Sequence, residues 1–236
     1  PISILNAANA LINNNAGRMG KELWTHGAAG EKIVLYAAFN ELDEARFVAE
    51  RISMIMHDQH DREASEVAIL YRSNAQSRVL EEALLRAGIA YRIHGGVRFF
   101  ERAEIKDTLA YLRLLANADD DTAFERVVNF PVRGIGEKTL EDLRVLAKTE
   151  QISLWQAAER LLSANSLSAR AGNALAQFVH LIDELRLQIT GMELDEQVTA
   201  VINGSGLFAH FSKTKQDKSE SRLENLQELV NAAKQF

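Results

Sequence analysis

No cysteine occurs among the 236 residues. That excludes disulfides and thiolate metal sites and accords with a reducing cytoplasm. Proline is almost as scarce, and Pro131 is the only one beyond the first position. No run approaches the roughly 20 apolar residues that a membrane span needs, and nothing at the start reads as a signal peptide, so no membrane partner is expected. Positive charge is in deficit: the formal net charge is −6, which for the chain as a whole argues against nucleic acid as a partner. Net charge averages over faces, however, and a local basic patch still attracts phosphate. A phosphate-cradling loop, G-x-x-x-x-G-K-[ST], is absent as well. "GRMGKE" (Gly17 to Glu22) resembles its second half, but the spacing is short and Glu22 stands where the hydroxyl should be.

What remains is an ordinary globular composition, 47% apolar and 25% charged, with length enough to bury a core. The opening "PISILNAANALINNN" lies inside an apolar helical pattern with no cap ahead of it, and "ENLQELVNAAKQF" stops in mid-helix. Both ends read as cut, so a fragment is expected. "KIVLYAAF" (Lys32 to Phe39), "VAILYRS" (Val67 to Ser73) and "AYRIHG" (Ala90 to Gly95) read as short buried strands. Between them lie two helical patterns, one capped by Asn40 with Asp43 three residues on, the other closed by Gly88. Strand, helix, strand, helix, strand predicts part of a parallel sheet with crossover helices. After Gly95-Gly96 nearly every apolar run has helical period, with another helix start at Ser153 and Gln156. "SKTKQDKSESR" (Ser212 to Arg222) reads as a solvated loop. The expected fold is thus an incomplete α/β portion over residues 1–94, a glycine hinge at Gly95 and Gly96, and an all-helical domain over residues 95–236.

Most candidate sites have plain structural readings. "HDQHD" (57–61) offers two histidines and two aspartates, but it is the polar tail of a helix and reads as a solvated loop. Asp119, Asp120 and Asp121 stand where an N-cap and first-turn acids stabilise a helix, a simpler role than holding a hard cation. No nucleophile, base and orienting acid can be assembled. "FPVRGIGEKTLEDL" (Phe130 to Leu143) is different. Gly134 and Gly136 remove side chains where a backbone turns tightly or approaches a ligand, and Ile135 between them would plug the core. The amides from Gly136 to Thr139 then open a helix, a ready anion site flanked by Arg133 and Lys138. On these residues alone, a plain glycine turn capped by Thr139 and a helix-hairpin-helix grip on a nucleic-acid backbone stand level. Charge favours the grip. Arg92 to Arg113 and Arg126 to Lys148 each carry five basic against three acidic residues, and Lys106 and Arg113 share one helix face, with Arg102 one turn ahead.

"AILYRSNAQSRVLEEALLRAGIAYRIHGGVRFFERAEIKDTLAYLRLLAN" and "AFERVVNFPVRGIGEKTL" resemble the UvrD/Rep/PcrA group of superfamily 1 DNA helicases, as do "NELDEARFVAERI" and "SRLENLQELV". The resemblance implies that residues 1–94 belong to the second RecA-like, P-loop NTPase-type motor domain (2A). It implies that residues 95–236 form most of the helical domain 2B, which swivels about the hinge and touches duplex DNA. It implies single-strand contacts at Arg72 and Asn74, and duplex backbone contacts at Gly134, Ile135, Gly136, Thr139, Lys106 and Arg113. Arg133 and Lys138 join that duplex set because they flank the hairpin. The parent would be an ATP-dependent 3′-to-5′ helicase of DNA repair and replication, cytoplasmic and nucleoid-associated, using ATP and Mg²⁺. Its partners would be junction DNA without sequence preference, the remaining helicase domains, and mismatch- and excision-repair proteins. Walker A and B motifs are missing here, so this chain alone is expected to bind no cofactor and hydrolyse no ATP. Two other classes stay open: a protein-interaction or autoinhibitory module, and a nuclease or ligase bearing a helix-hairpin-helix arm. For the latter, catalytic carboxylates or a lysine nucleophile within its motif are not found.

Overall fold

The computed structural model describes residues 1–15, 22–58, 63–94, 96–213 and 216–235, and the side chains of 216–218 are outside that description. The Gly17–Glu22 stretch up to residue 21, residues 59–61 of the histidine cluster, and Gly95 of the expected hinge therefore lie outside the described residues. Helices make up the regular structure: α1 (Ile2–Ile12), α2 (Glu41–Asp58), α3 (Ser77–Arg86), α4 (Ala103–Ala116), α5 (Asp121–Val127) and α6 (Glu137–Glu150). They continue with α7 (Leu154–Ser163), α8 (Ala169–Gln188), α9 (Leu194–Gly204), α10 (Leu207–Ser212) and α11 (Gln216–Ala233). By compactness the chain divides into Pro1–Phe47 and Val48–Phe236, so the boundary falls within α2.

In the first unit, Asn9 ties α1 to the extended segment at Leu23. Its amide donates to Leu23 O at 2.8 Å, and its carbonyl accepts from Leu23 N at 3.1 Å. Asn40 caps α2 through Asp43 N (2.9 Å). The Asp43 carboxylate accepts from Phe39 N and from the Tyr36 hydroxyl, and these bonds hold it below the usual carboxylate range.

The second unit has two apolar clusters. A small one gathers Ala49, Ile52, Leu84 and Ile89. The large one begins at Phe99 and is filled by one face of each helix from α4 to α11. Phe124 sits at its centre, edge-on to Phe178 (5.6 Å) and Trp155 (6.5 Å). The sequence boundary at 94/95 lies inside the second unit, between these two clusters.

What joins α3 to α4 and α11 is polar. Arg78, buried, gives Nε to Glu228 (2.6 Å) and Nη1 to Glu82 (2.8 Å), while its Nη2 has no partner among the described residues. Arg102 donates to Asn74 O, the Ser77 hydroxyl and Asn225, and Asn225 in turn donates to Glu104. Arg102 was expected on the exposed basic face of α4; it is buried instead, because as the residue preceding the helix it turns back into this network.

Two further expectations are corrected. None of the three strand-like segments forms a strand among the described residues. A parallel strand exists only through the ladder it makes with neighbours, and here Leu35, Phe39 and Leu70 are more than 90% exposed. "SKTKQDKSESR" is not a loop beyond residue 215, since α11 begins at Gln216. Its later turns bury Leu226, Leu229, Val230 and Ala233, and once those are packed the helix extends backward through the polar run at little cost. The helix ends behaved as the residue types dictate. Gly88 closes α3 at φ +69°, with Ile89 N reaching back to Leu84 O (2.9 Å). Ser153 caps α7 through Gln156 N (3.2 Å).

Candidate nucleic-acid interface

The residues expected to contact duplex stand on α4, the turn after α5, and the first turn of α6. Asp120 starts α5 by accepting from Ala123 N at 2.9 Å. That bond, with the Arg113 guanidinium 2.7 Å from its other oxygen, holds the Asp120 carboxylate below the usual range. Asp121 accepts from Leu154 N, and Asp119 accepts from the Ser153 hydroxyl and the Gln156 amide. All three aspartates thus tie helix starts together. Among the described residues no group of three or more His, Cys, Asp or Glu is placed to hold a metal.

Between α5 and α6 the chain folds through a short hairpin that begins with a cis Phe130–Pro131 peptide bond. The Asn129 carbonyl accepts from Arg133 N (2.9 Å) and Ile135 N (3.2 Å), pulling both ends of the turn onto one side chain. Gly134 has φ +85°, in the left-handed region that disfavours any Cβ. Ile135 is 1% exposed and belongs to the large core, so the exposed glycines on either side stand proud of a buried plug. Gly136 is extended (φ −84°, ψ 165°) and caps α6. Thr139 N and Leu140 N turn back to Gly136 O, whereas the N–H groups of Glu137 and Lys138 meet no acceptor among the described residues. Thr139 itself is buried. Two amides with no acceptor among the described residues, at a helix start beside an exposed lysine and two exposed glycines, are donors that an anion can use.

The basic residues divide into two kinds. Lys106 and Lys138 are exposed and enter no ion pair among the described residues. Arg113 is 60% exposed but paired with Asp120. Arg126 is held by Asp107, and Arg144 is shared between Glu125 and Glu137 beside the start of α6. Arg133, expected to flank the anion site, points inward. Its Nη1 donates to Val127 O (3.2 Å) and Pro131 O (2.9 Å), and its Nη2 to Ser205 O (2.8 Å) and the Tyr111 hydroxyl. A guanidinium has a planar fork of donors, and three carbonyls converging from two turns match it. The same Tyr111 hydroxyl donates to Phe130 O at 2.6 Å. Burial pushes the Tyr111 phenol up to about 12, against the opposing pull of Arg133.

Tyr111, Asn129 and Ser205 therefore belong to the site, and none was read from the sequence. Tyr111 is one hydroxyl in an apolar helical stripe, and Ser205 is 72 residues from its partner. Only Asn129, a polar residue just after the buried pair Val127-Val128 and before a glycine turn, left a local signal. Arg72 and Asn74 lie apart, in a turn closed by Gln76, whose carbonyl accepts from Arg72 N and Ser73 N. Asn74 donates to the Ser221 hydroxyl (3.2 Å), and Arg72 is exposed. Gly96 lines a cavity of about 410 Å³ shared with Asn74, His94, Arg102 and Asn225. No described helix is long and apolar enough to cross a membrane.

The model of the UvrD-like helicase C-terminal domain matches residues 1–236. The chain is 56% identical over 234 residues to DNA helicase II of Escherichia coli (strain K12), covering 99% of this chain and 32% of that protein. It is 42% identical over 233 residues to the ATP-dependent DNA helicase PcrA of Bacillus subtilis (strain 168), covering 99% and 31%. Against the ATP-dependent DNA helicase UvrD1 of Mycobacterium tuberculosis (strain ATCC 25618 / H37Rv) the identity is 43% over 236 residues, covering 99% and 30%. The chain thus spans about a third of the length of the relatives it matches, and it belongs to the UvrD-like helicase C-terminal domain family.

Proposed function

We propose that this chain is the duplex-gripping portion of an ATP-dependent 3′-to-5′ DNA helicase. The observation that carries the reading is the hairpin: two exposed glycines and, at the start of α6, two amides without acceptors among the described residues, beside buried Ile135. Such a surface contacts phosphate oxygens through backbone N–H groups and reads no bases. Lys138 and Lys106 add charge, Arg113 is available by exchange from Asp120, and Gly134, Ile135, Gly136 and Thr139 supply the shape. Arg133 acts here from behind the surface. In the same reading the element is a helix-hairpin-helix, and residues 95–236 are the 2B domain. Residues 1–94 are then part of the 2A motor domain, their strand-like segments completing a RecA-type sheet with residues outside this chain. Arg72 and Asn74 touch the single strand, and the chain pivots at Gly95 and Gly96. ATP and Mg²⁺ act in the whole helicase, where Walker motifs absent from this sequence close on nucleotide, and DNA-repair proteins are its further partners.

A handful of phosphate contacts gives weak, salt-steep association, in the range of about 10⁻⁴ to 10⁻⁶ M. Fluorescence anisotropy on a duplex with a 3′ single-stranded tail tests this across several salt concentrations. The Gly134→Glu/Gly136→Glu double variant should lose binding while keeping its helical circular dichroism. One observation favours the partner-surface alternative: Arg126, Arg133 and Arg144 are all engaged internally. That reading predicts no duplex binding by the wild type at low salt.

A further inference from the structure

We infer that Arg133 is a positioning residue, which together with Tyr111 and Asn129 sets the hairpin in its phosphate-accepting shape and couples it to the turn at Ser205. The inference rests on the duplex-grip reading above and concerns how that grip is preorganised. A loop that must offer amides to an anion loses affinity if it samples other shapes, because ordering it on binding costs conformational entropy. This hairpin is fastened at both levels. From within, Asn129 Oδ1 holds the backbone N–H groups of residues 133 and 135, on either side of Gly134. From beneath, the Arg133 guanidinium binds the carbonyls of Val127 at the end of α5, of Pro131 in the hairpin and of Ser205 in the turn between α9 and α10. Tyr111 closes the set, accepting from Arg133 while donating to Phe130 O.

The cation is also enclosed by rings. Its Cζ lies 5.7 Å from the Tyr111 centroid and 5.6 Å from that of Phe178. On the far side, Phe130 meets His210 at 4.8 Å, and a Cβ on Gly206 would stand 3.9 Å from Pro131 Cγ. Two turns 72 residues apart are therefore joined by the Arg133 guanidinium, with these apolar contacts beside it. A lysine at this position keeps the charge but has no planar fork, so it cannot satisfy the three carbonyls and the hydroxyl together.

The test compares wild type, Lys138→Ala, Arg133→Lys and Tyr111→Phe in duplex binding, with hydrogen exchange at the residue 133 and Ile135 amides. Lys138→Ala should weaken binding and lower the salt slope by about one, as loss of one phosphate contact does. Arg133→Lys should weaken binding on the order of tenfold at unchanged charge, as loss of one or two charge-assisted bonds implies, and the two amides should exchange faster. Tyr111→Phe removes one hydroxyl from a buried ring and should move both readouts the same way by a smaller factor; it also keeps the test decisive if Arg133→Lys unfolds. If Lys138→Ala weakens binding while Arg133→Lys and Tyr111→Phe bind and exchange like wild type, the positioning role is wrong. Should Arg133→Lys bind like wild type and Arg133→Met lower the salt slope by about one, Arg133 contacts phosphate directly and the inference is likewise overturned. If wild type and Lys138→Ala bind equally or not at all, the duplex-grip reading fails, and faster exchange in Arg133→Lys would still support Arg133 as the fastening of the hairpin.

Discussion

Gly134 and Gly136 look equivalent in the sequence, yet alanine should separate them. At Gly134 an added Cβ meets nothing within 4 Å, so no packing penalty arises. The whole cost is backbone conformation: φ is +85°, and an L-residue held in that region loses about 1–2 kcal/mol. At Gly136 the added Cβ also meets nothing within 4 Å, but φ is −84°, which alanine adopts freely. There the smaller entropy of the unfolded chain gains roughly 0.4–1 kcal/mol, and the poorer N-cap takes back a similar amount. Gly134→Ala should therefore lower Tm by about 2–8 °C for a chain of this size, and Gly136→Ala should leave it within about a degree of wild type. Binding should rank them the other way, because Gly136 directly precedes the two open first-turn amides, whereas Gly134 is two residues further from them. Calorimetry beside anisotropy at one fixed salt concentration reads both orders. Equal loss of stability in the two variants would refute the conformational argument. Wild-type affinity in Gly136→Ala would refute the assignment of those amides to phosphate.

Glu228→Gln should cost about 2 kcal/mol in urea unfolding, since it takes a charge-assisted bond from a buried arginine; the exposed Glu137→Gln should stay within about 0.5 kcal/mol, and similar midpoints would contradict this. Ile135→Ala should destabilise by about 3 kcal/mol through the cavity it opens in the core; a loss under about 1 kcal/mol would mean that the hairpin is not plugged. Alkaline pH should weaken the fold through Tyr111. Its folded value, about 12, lies above the unfolded value of about 10, so its contribution is complete below pH ~10 and is lost as pH rises toward 12. Tyr111→Phe should flatten the fall in stability between pH 10 and 11.5 by at most about 1.4 kcal/mol per pH unit, and parallel curves would exclude Tyr111 as the source.

The amino-acid order alone determined whatever depends on neighbours in the chain. Asn40, Ser153, Gly88 and Asp120 start or stop helices because their short side chains, or the lack of one, act within four residues of themselves. Ile135 between two glycines announced a buried plug for the same reason. The relatives' family was also legible from contiguous residues, and the family model covers the chain end to end.

Tertiary structure decided the rest. The short apolar runs at 32–39 and 67–73 mark a capacity for strand, but a ladder is a relation between segments, and none forms among the described residues. The polar run at 216–222 became helix because the turns after it are packed, which its own composition does not reveal. Charge counting concentrated positive charge in two segments that hold Arg102, Arg126, Arg133 and Arg144; the fold turned Arg102 and Arg133 inward, paired Arg126 with Asp107 of α4, and paired Arg144 with Glu125 of α5 and Glu137 of its own helix. A sequence shows which side chains carry charge. Only the fold decides which charges water, or a phosphate, can reach, because an arginine's partners are set by distance in space.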